Sequence, residues 1–347
     1  MKGLVKLVHG EKNTELKEVE KPKIQSGKVL IKVKASGICG TDLKFYYTEE
    51  GNTKLSPPVI LGHEGSGVVV EVAEDVNDIK VGDRVVSETN YSYCGKCHYC
   101  NSGNINMCIN GRKGLGSTAN GFFAEYVLCN SKRIYKLPEE FSFQEAALIE
   151  PLSCCVNAVV ETSSIKPGNI CIVFGAGLIG NFTAQLAYAI GAKVVLVGTR
   201  NSIDRLKLAN KIGIEETLVF GQDDIEGYIE NISEGYGADI VFECSGSDKA
   251  LATGLNVVKK MGEIILLSAP NEMNLDLWNQ IVLKGIKMIG VISSRPSCWE
   301  TAMKLLKNKK INVKKLISYT YPLSNWEEAF KKAKFGKSLK VILEPNQ

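Results

Sequence analysis

The stretch from residue 93 to 108, YCGKCHYCNSGNINMC, sets Cys94, Cys97, Cys100 and Cys108 at C-x2-C-x2-C-x7-C spacing. Tight turns bring thiols at such spacing within reach of one another, and four thiolates satisfy a tetrahedral zinc ion completely. Gly95, Asn101, Gly103, Asn104 and Asn106 lie between them. Gly and Asn accept the positive backbone angles that a chain wrapped around an ion requires. The stretch has almost no apolar core of its own, so the metal replaces one. A closed four-thiolate site leaves no open position, which makes it structural and places any chemistry elsewhere. Chance clustering or a redox pair is the bland alternative.

Three other fragments carry ligand-type side chains: GICGTDLKFYY at 37 to 47, LGHEGSG at 61 to 67 and LIEPLSCC at 148 to 155. Cys39, His63, Glu64 and Glu150 are all residue types that bind zinc. Singly, each is as well explained by core packing. The chain has only three histidines, and one of them stands beside a Glu in a Gly-flanked turn upstream of the four cysteines.

In VFGAGLIG, Gly175, Gly177 and Gly180 form G-x-G-x-x-G, with Leu178 and Ile179 inside the motif. The hexamer alone is weak, because a tight turn that binds nothing can look the same. Its context is stronger. NICIVF before it reads as a strand, and in NFTAQLAYAIGA after it Leu178, Phe182, Leu186 and Ala189 recur at helical spacing. Backbone N–H groups and a helix dipole would then point at a bound pyrophosphate. The next strand, KVVLVG, ends in TRNSIDR, with Thr199 and Arg200 where an acidic residue would grip the ribose hydroxyls of NAD. A hydroxyl and a guanidinium suit a 2′-phosphate, and Arg205 follows one helical turn on. NADP(H) is therefore favoured, with NAD(H) as the alternative.

The elements that must position these residues fall into two styles. VLIKVKASG, GVVVEVAEDV and VGDRVV show the alternation and turns of short strands, so the first 150 or so residues read as largely β. From residue 168 strands alternate with helical stretches through ADIVFECSG and GEIILLSAP, as in a doubly wound parallel sheet. Near the end, Trp299, Met303 and Leu306 share a helical face, Ser324 and Glu327 have capping-box spacing, and SLKVILEP reads as a closing strand.

A length of 347 residues, 44% of them hydrophobic, exceeds one core and supports two domains. The 42 basic residues are spread among 38 acidic ones, for a net charge of +4, which argues against a nucleic-acid surface. No apolar run approaches a membrane span and no secretory signal opens the chain, so a soluble, cytoplasmic protein is expected. Eleven cysteines, an odd number, then fit reduced thiols better than disulfides.

Taken together, these motifs resemble the zinc-containing medium-chain dehydrogenase/reductases, most closely their polyol (sorbitol-like) branch. GHEGSGVVVEVAEDVNDIKVGDRV is similar to the family's zinc signature, GICGTD to its first catalytic-ligand turn, and the four-cysteine stretch to its structural-zinc lobe. The resemblance implies an α/β fold: a GroES-like β-rich catalytic domain (1–152), a Rossmann domain (153–291) and a return segment (292–347) that rejoins the first. It further implies an active site in the cleft between domains, two zinc ions per chain, and a homotetramer or homodimer. Cys39, His63 and one or both of Glu64 and Glu150 would hold the catalytic zinc. Glu150 followed by Pro151, where the alcohol dehydrogenase branch has a cysteine nearby, points to a polyol or sugar alcohol. An open-sided zinc would act as a Lewis acid on the substrate hydroxyl while hydride passes to the nicotinamide. Thr41 would begin the proton path. That path often ends in the family on a histidine three residues on, where this chain has Lys44. Tyr46, Tyr47 and Arg295 are weaker substrate-contact candidates. The alternatives are a threonine-type or simple secondary-alcohol dehydrogenase of the same family, a sugar-alcohol phosphate as the substrate, for which the sequence offers no convincing anion pocket, and, from another class, a non-catalytic zinc-stabilised binding protein on the same scaffold.

Overall fold

The structure, a computed structural model, describes residues 1–48, 54–268 and 278–345. The last two residues of GEIILLSAP lie outside the described residues. Two compact units divide the chain. The first comprises Met1–Pro151, Arg295–Trp299 and Leu316–Gln347, and the second Leu152–Ser294 and Glu300–Lys315. Within the span 292–347, residues 292–294 and 300–315 thus group with the second unit, as does Leu152. Gln185 of that unit explains this locally, accepting from Asn312 N at 2.7 Å.

The first unit is built on β-structure. A seven-stranded sheet runs in the order Ile134–Lys136, Arg84–Ser87, Glu64–Val72, Lys28–Gly37, Lys340–Glu344 and Ile317–Pro322, with Tyr126–Asn130 also pairing on Lys28–Gly37. The strand Lys28–Gly37 is central and rich in β-branched residues, and Val29, Ile31 and Val33 are wholly buried against Val69, Val85, Phe122 and Val127. A smaller three-stranded sheet joins Thr14–Glu18, Lys2–Lys6 and Val59–Ile60. The helix Trp326–Phe335 starts with Asn325 at its cap, not Ser324. The Ser324 hydroxyl instead donates to Asn325 Oδ1 at 3.3 Å.

In the second unit six parallel strands lie in the order Glu216–Val219, Lys193–Gly198, Ile170–Phe174, Ala238–Glu243, Val258–Leu266 and Lys287–Gly290. From Ile170–Phe174 the chain winds outward on one side and then returns to begin the other. The switch therefore falls between Ile170–Phe174 and Ala238–Glu243, where a doubly wound sheet opens a crevice at its carboxyl edge. The helix Leu178–Ile190 is buried continuously from Gly180 to Ala187, and Ala189 is exposed, so it lacks the single apolar stripe read from its spacing. Its polar residues are used instead. Asn181 Nδ2 donates to Ala176 O and Gly177 O, and Gln185 holds Asn312. Among the described residues no helix is long and apolar enough to cross a membrane.

Candidate active site and metal centres

Cys39 caps the helix Gly40–Tyr47, with Ile38 between it and the strand Lys28–Gly37. Its backbone N–H donates to Asp42 Oδ2 at 2.9 Å, which fixes the helix entry. The other oxygen of the buried Asp42 accepts from Gly62 N at 3.3 Å and faces His63 Nδ1 at 3.5 Å. One carboxylate thereby orients two fragments some twenty residues apart. With Nδ1 turned to Asp42, Nε2 is left for a metal, the usual carboxylate–histidine arrangement of zinc sites. Burial would lower the His63 pKa, but Asp42 and the Cys39 thiol outweigh it and raise the pKa well above its ordinary value.

Glu64 begins the next strand and stands opposite Gly37 in the sheet register. The donor atoms of Cys39, His63 and Glu64 all lie within 4.8 Å of one another. Glu150, in the first turn of the helix Ile149–Val156, does not complete a four-residue set at that distance. It is buried nearby: burial, opposed by His63 and reinforced by Glu64, pushes its carboxyl up to about 7.

Sequence reading missed two residues here, Asp42 and Lys340. Asp42 had a local signal, an acidic residue three positions after the helix cap. Lys340 had none. Its ammonium, almost fully buried on the strand Lys340–Glu344, bonds Glu64 Oε2 at 2.5 Å and Ile38 O at 3.0 Å. Burial would depress its pKa, but Glu64 and Cys39 raise it above the ordinary lysine value. A side chain at position 37 would exclude this pair, since a Cβ there would sit 2.1 Å from Glu64 Oε2.

Thr41 and Lys44 lie on the same helix as Cys39, both half-buried. Tyr46 packs edge-to-face on Trp326 and Phe330, and Tyr47 on Phe335, so both rings serve the core. Arg295 is half-buried just before the helix Pro296–Lys307, and its carbonyl accepts from Cys298 N.

The sulfurs of Cys94, Cys97, Cys100 and Cys108 form a second set within 4.8 Å. Backbone N–H groups point at them: Cys97 N at Cys94 Sγ and Cys94 N at Cys108 Sγ, both 3.4 Å. The N–H of Lys96, with that of Cys97, outweighs burial and lowers the Cys94 thiol to about 6, while burial and neighbouring thiols push Cys100 up to about 12. Gly95 and Gly103 adopt φ of 68° and 80°, the wrapping geometry the spacing required. Four converging thiols with N–H donors aimed at sulfur fit a closed tetrahedral zinc site. One thiol, one imidazole and a carboxylate fit a zinc site with an open position.

In the second unit the three glycines of the turn have separate tasks. Gly175 (φ 104°) makes the turn against the backbone of Cys244, and a Cβ on Gly180 would stand 1.8 Å from Gly175 O. A Cβ on Gly177 would meet nothing within 4 Å. That open face, at the cap of the helix that Leu178 and Ile179 begin, is the cradle a pyrophosphate fits. Glu243 braces the facing loop by accepting from Ser245 N at 2.8 Å and Gly246 N at 3.0 Å, and from the Ser245 and Ser268 hydroxyls. Thr199 and Arg200 are exposed just past the strand Lys193–Gly198. Arg205 is half-buried one turn into the next helix, where burial lowers its pKa.

Residues 25–139 match the Alcohol dehydrogenase GroES-like domain, and residues 179–308 match Zinc-binding dehydrogenase. Sorbitol dehydrogenase of Halalkalibacterium halodurans is 40% identical over 347 residues, covering 99% of both chains. The chain belongs to the zinc-containing medium-chain dehydrogenase/reductases. D-arabitol-phosphate dehydrogenase of Enterococcus avium, another relative of this dehydrogenase, is 38% identical over 100% of this chain and 98% of its own. A zinc-binding dehydrogenase from Sinorhizobium meliloti, bound to NADP, superposes with a TM-score of 0.88 at 29% identity over 99% of each chain. As a family member the protein is a zinc-dependent dehydrogenase with a GroES-like domain and a Rossmann-like parallel-sheet domain.

Proposed function

We propose that this dehydrogenase oxidises a secondary alcohol group of a polyol or sugar alcohol and passes hydride to NADP+ in preference to NAD+. The observation that carries the reading is the convergence of Cys39, His63 and Glu64 with buried Glu150 beside them. A carboxylate there, in place of a second thiol, matches the polyol branch, and the sorbitol and arabitol-phosphate dehydrogenases are relatives along the whole chain. For the cofactor, support comes from Thr199 and Arg200 standing where an acidic residue would serve NAD, and from the NADP-bound structural neighbour.

Two zinc ions per chain belong to this reading. Cys94, Cys97, Cys100 and Cys108 would hold the structural ion. Cys39 and His63, with Glu64, Glu150 or both, would hold the catalytic one. When bound there, zinc supplies Lewis acidity toward the substrate oxygen. The chain's own residues do the rest. Asp42 holds the His63 ring in one orientation, Lys340 holds the Glu64 carboxylate, and the Thr41 hydroxyl would relay the substrate hydroxyl proton, accepting it at Oγ1 while giving its own proton to solvent water.

Turnover by the purified zinc-loaded protein tests this, using polyols, polyol phosphates, simple secondary alcohols and threonine with NAD+ and NADP+ side by side. Polyol oxidation with NADP+ is expected. Preferred turnover of threonine or simple alcohols overturns the substrate assignment, and a preference for NAD+ overturns the cofactor assignment. Cys39→Ala should abolish turnover and lower zinc content from two ions to one. Retained activity in that variant sinks the site.

A further inference from the structure

Arg200 does not project alone. Once the Gln222 amide is assigned with its oxygen toward the guanidinium, a group carrying only donors, that oxygen accepts from Arg200 Nε at 3.0 Å and from Nη2 at 2.6 Å. Both side chains are exposed. Arg200 opens the turn after the strand Lys193–Gly198, and Gln222 follows the neighbouring strand Glu216–Val219. The turn carrying Gln222 is anchored by one backbone and one side-chain hydrogen bond. Phe220 N donates to Gly198 O at 2.7 Å, and Asp223 Oδ2 accepts from Val219 N at 2.6 Å. Gln222 thus reaches the guanidinium from an anchored base next to the end of Arg200's own strand.

The chemistry of the acceptor matters. An amide oxygen orients the guanidinium without cancelling its charge, whereas a carboxylate in the same place would neutralise it. By taking Nε and one donor of Nη2, Gln222 leaves the Nη1 donors and the outer donor of Nη2 for a second bidentate partner, and a phosphate matches that fork.

We propose that Gln222 is a positioning residue for cofactor choice, presenting the outer edge of Arg200, with its charge intact, to the 2′-phosphate of NADP. This rests on the NADP reading above.

The test uses the full-length zinc-loaded enzyme. Its readouts are kcat and KM for NADP+ and NAD+, together with inhibition by adenosine 2′-monophosphate and adenosine 5′-monophosphate as cofactor fragments. Gln222→Glu should raise KM for NADP+ and Ki for the 2′-phosphate fragment about tenfold or more, the worth of one charge-assisted contact. In the same variant kcat, KM for NAD+ and Ki for the 5′-phosphate fragment should stay within about twofold. Gln222→Met, which keeps the bulk without the acceptor, should shift the same constants in the same direction but less. Gln222→Met should not add to the effect of Arg200→Gln, whereas Gln222→Glu in that background adds only the direct repulsion between its carboxylate and the phosphate. If Arg200→Gln removes NADP preference while Gln222→Glu leaves it intact, the positioning role fails alone. Equal losses with both cofactors overturn it too, by showing a merely structural effect. A wild type that prefers NAD+, or a preference indifferent to Arg200→Gln, overturns the cofactor reading beneath it.

Discussion

Gly37, Glu64 and Lys340 form a sandwich across three strands. The two charged side chains reach each other only because the central strand has no Cβ where they meet. Two charges so deeply buried lose their hydration and recover it chiefly in each other, so removing one partner leaves the other without its main compensation. Lys340→Met should therefore cost about 3–5 kcal/mol in denaturant unfolding of the zinc-free protein, where no metal ion offsets the Glu64 charge. Lys340→Met combined with Glu64→Gln should recover most of that loss, because neither member of the pair is left charged without its partner. If the double variant is as unstable as the single one, the pair is not what stabilises this corner. Cys39, His63 and Glu64 were legible at this scale only as candidates, because each alone is as well explained by packing and their convergence within 4.8 Å is set by the fold. Lys340 was not, since one lysine among 42 basic residues carries no mark of burial.

Among elements, the strand–turn–helix unit from Ile170 to Ile190 separates folding from binding within one motif. Gly180→Ala should cost about 1–3 kcal/mol of stability, because its Cβ overlaps Gly175 O and the helix must move off the strand. Gly177→Ala should leave stability almost unchanged, its Cβ pointing into open space, yet weaken dinucleotide binding in a fluorescence titration. Loss of stability at Gly177 with binding preserved would contradict the cradle. The glycine spacing announced this unit, but the burial of its helix was hidden. Periodicity reports one apolar stripe, while Asn181 and Gln185 are buried here as hydrogen-bonding struts that a hydropathy pattern scores as surface. The start of the helix Trp326–Phe335 shows the same limit: Ser324 and Glu327 have the right spacing, and Asn325 takes the cap.

Over the whole molecule, every candidate zinc ligand lies in Met1–Pro151, and the glycine turn lies in Leu152–Ser294. Zinc removal should therefore act unevenly. Hydrogen exchange after chelation should show lost protection in 90–115 and 37–66, with the strands Ile170–Phe174 and Ala238–Glu243 close to their zinc-loaded values, because ligand binding stabilises the segments it ties together. Uniform loss across both units would mean that the metals support the molecule as one cooperative block.

The sequence by itself determined which groups could do chemistry: four thiols at zinc spacing, a Cys, a His and two Glu in three short fragments, and a glycine turn between a strand and a helix. Local spacing can specify these because each motif closes within a few residues, and its geometry follows from backbone sterics. Tertiary structure decided what holds those groups. Asp42 joins Cys39 to His63, Lys340 arrives from 276 residues away to meet Glu64, and Gln222 meets Arg200 from the neighbouring strand. Such partners are chosen by strand order and register, which arise from the packing of distant segments and leave no trace in the residues beside them.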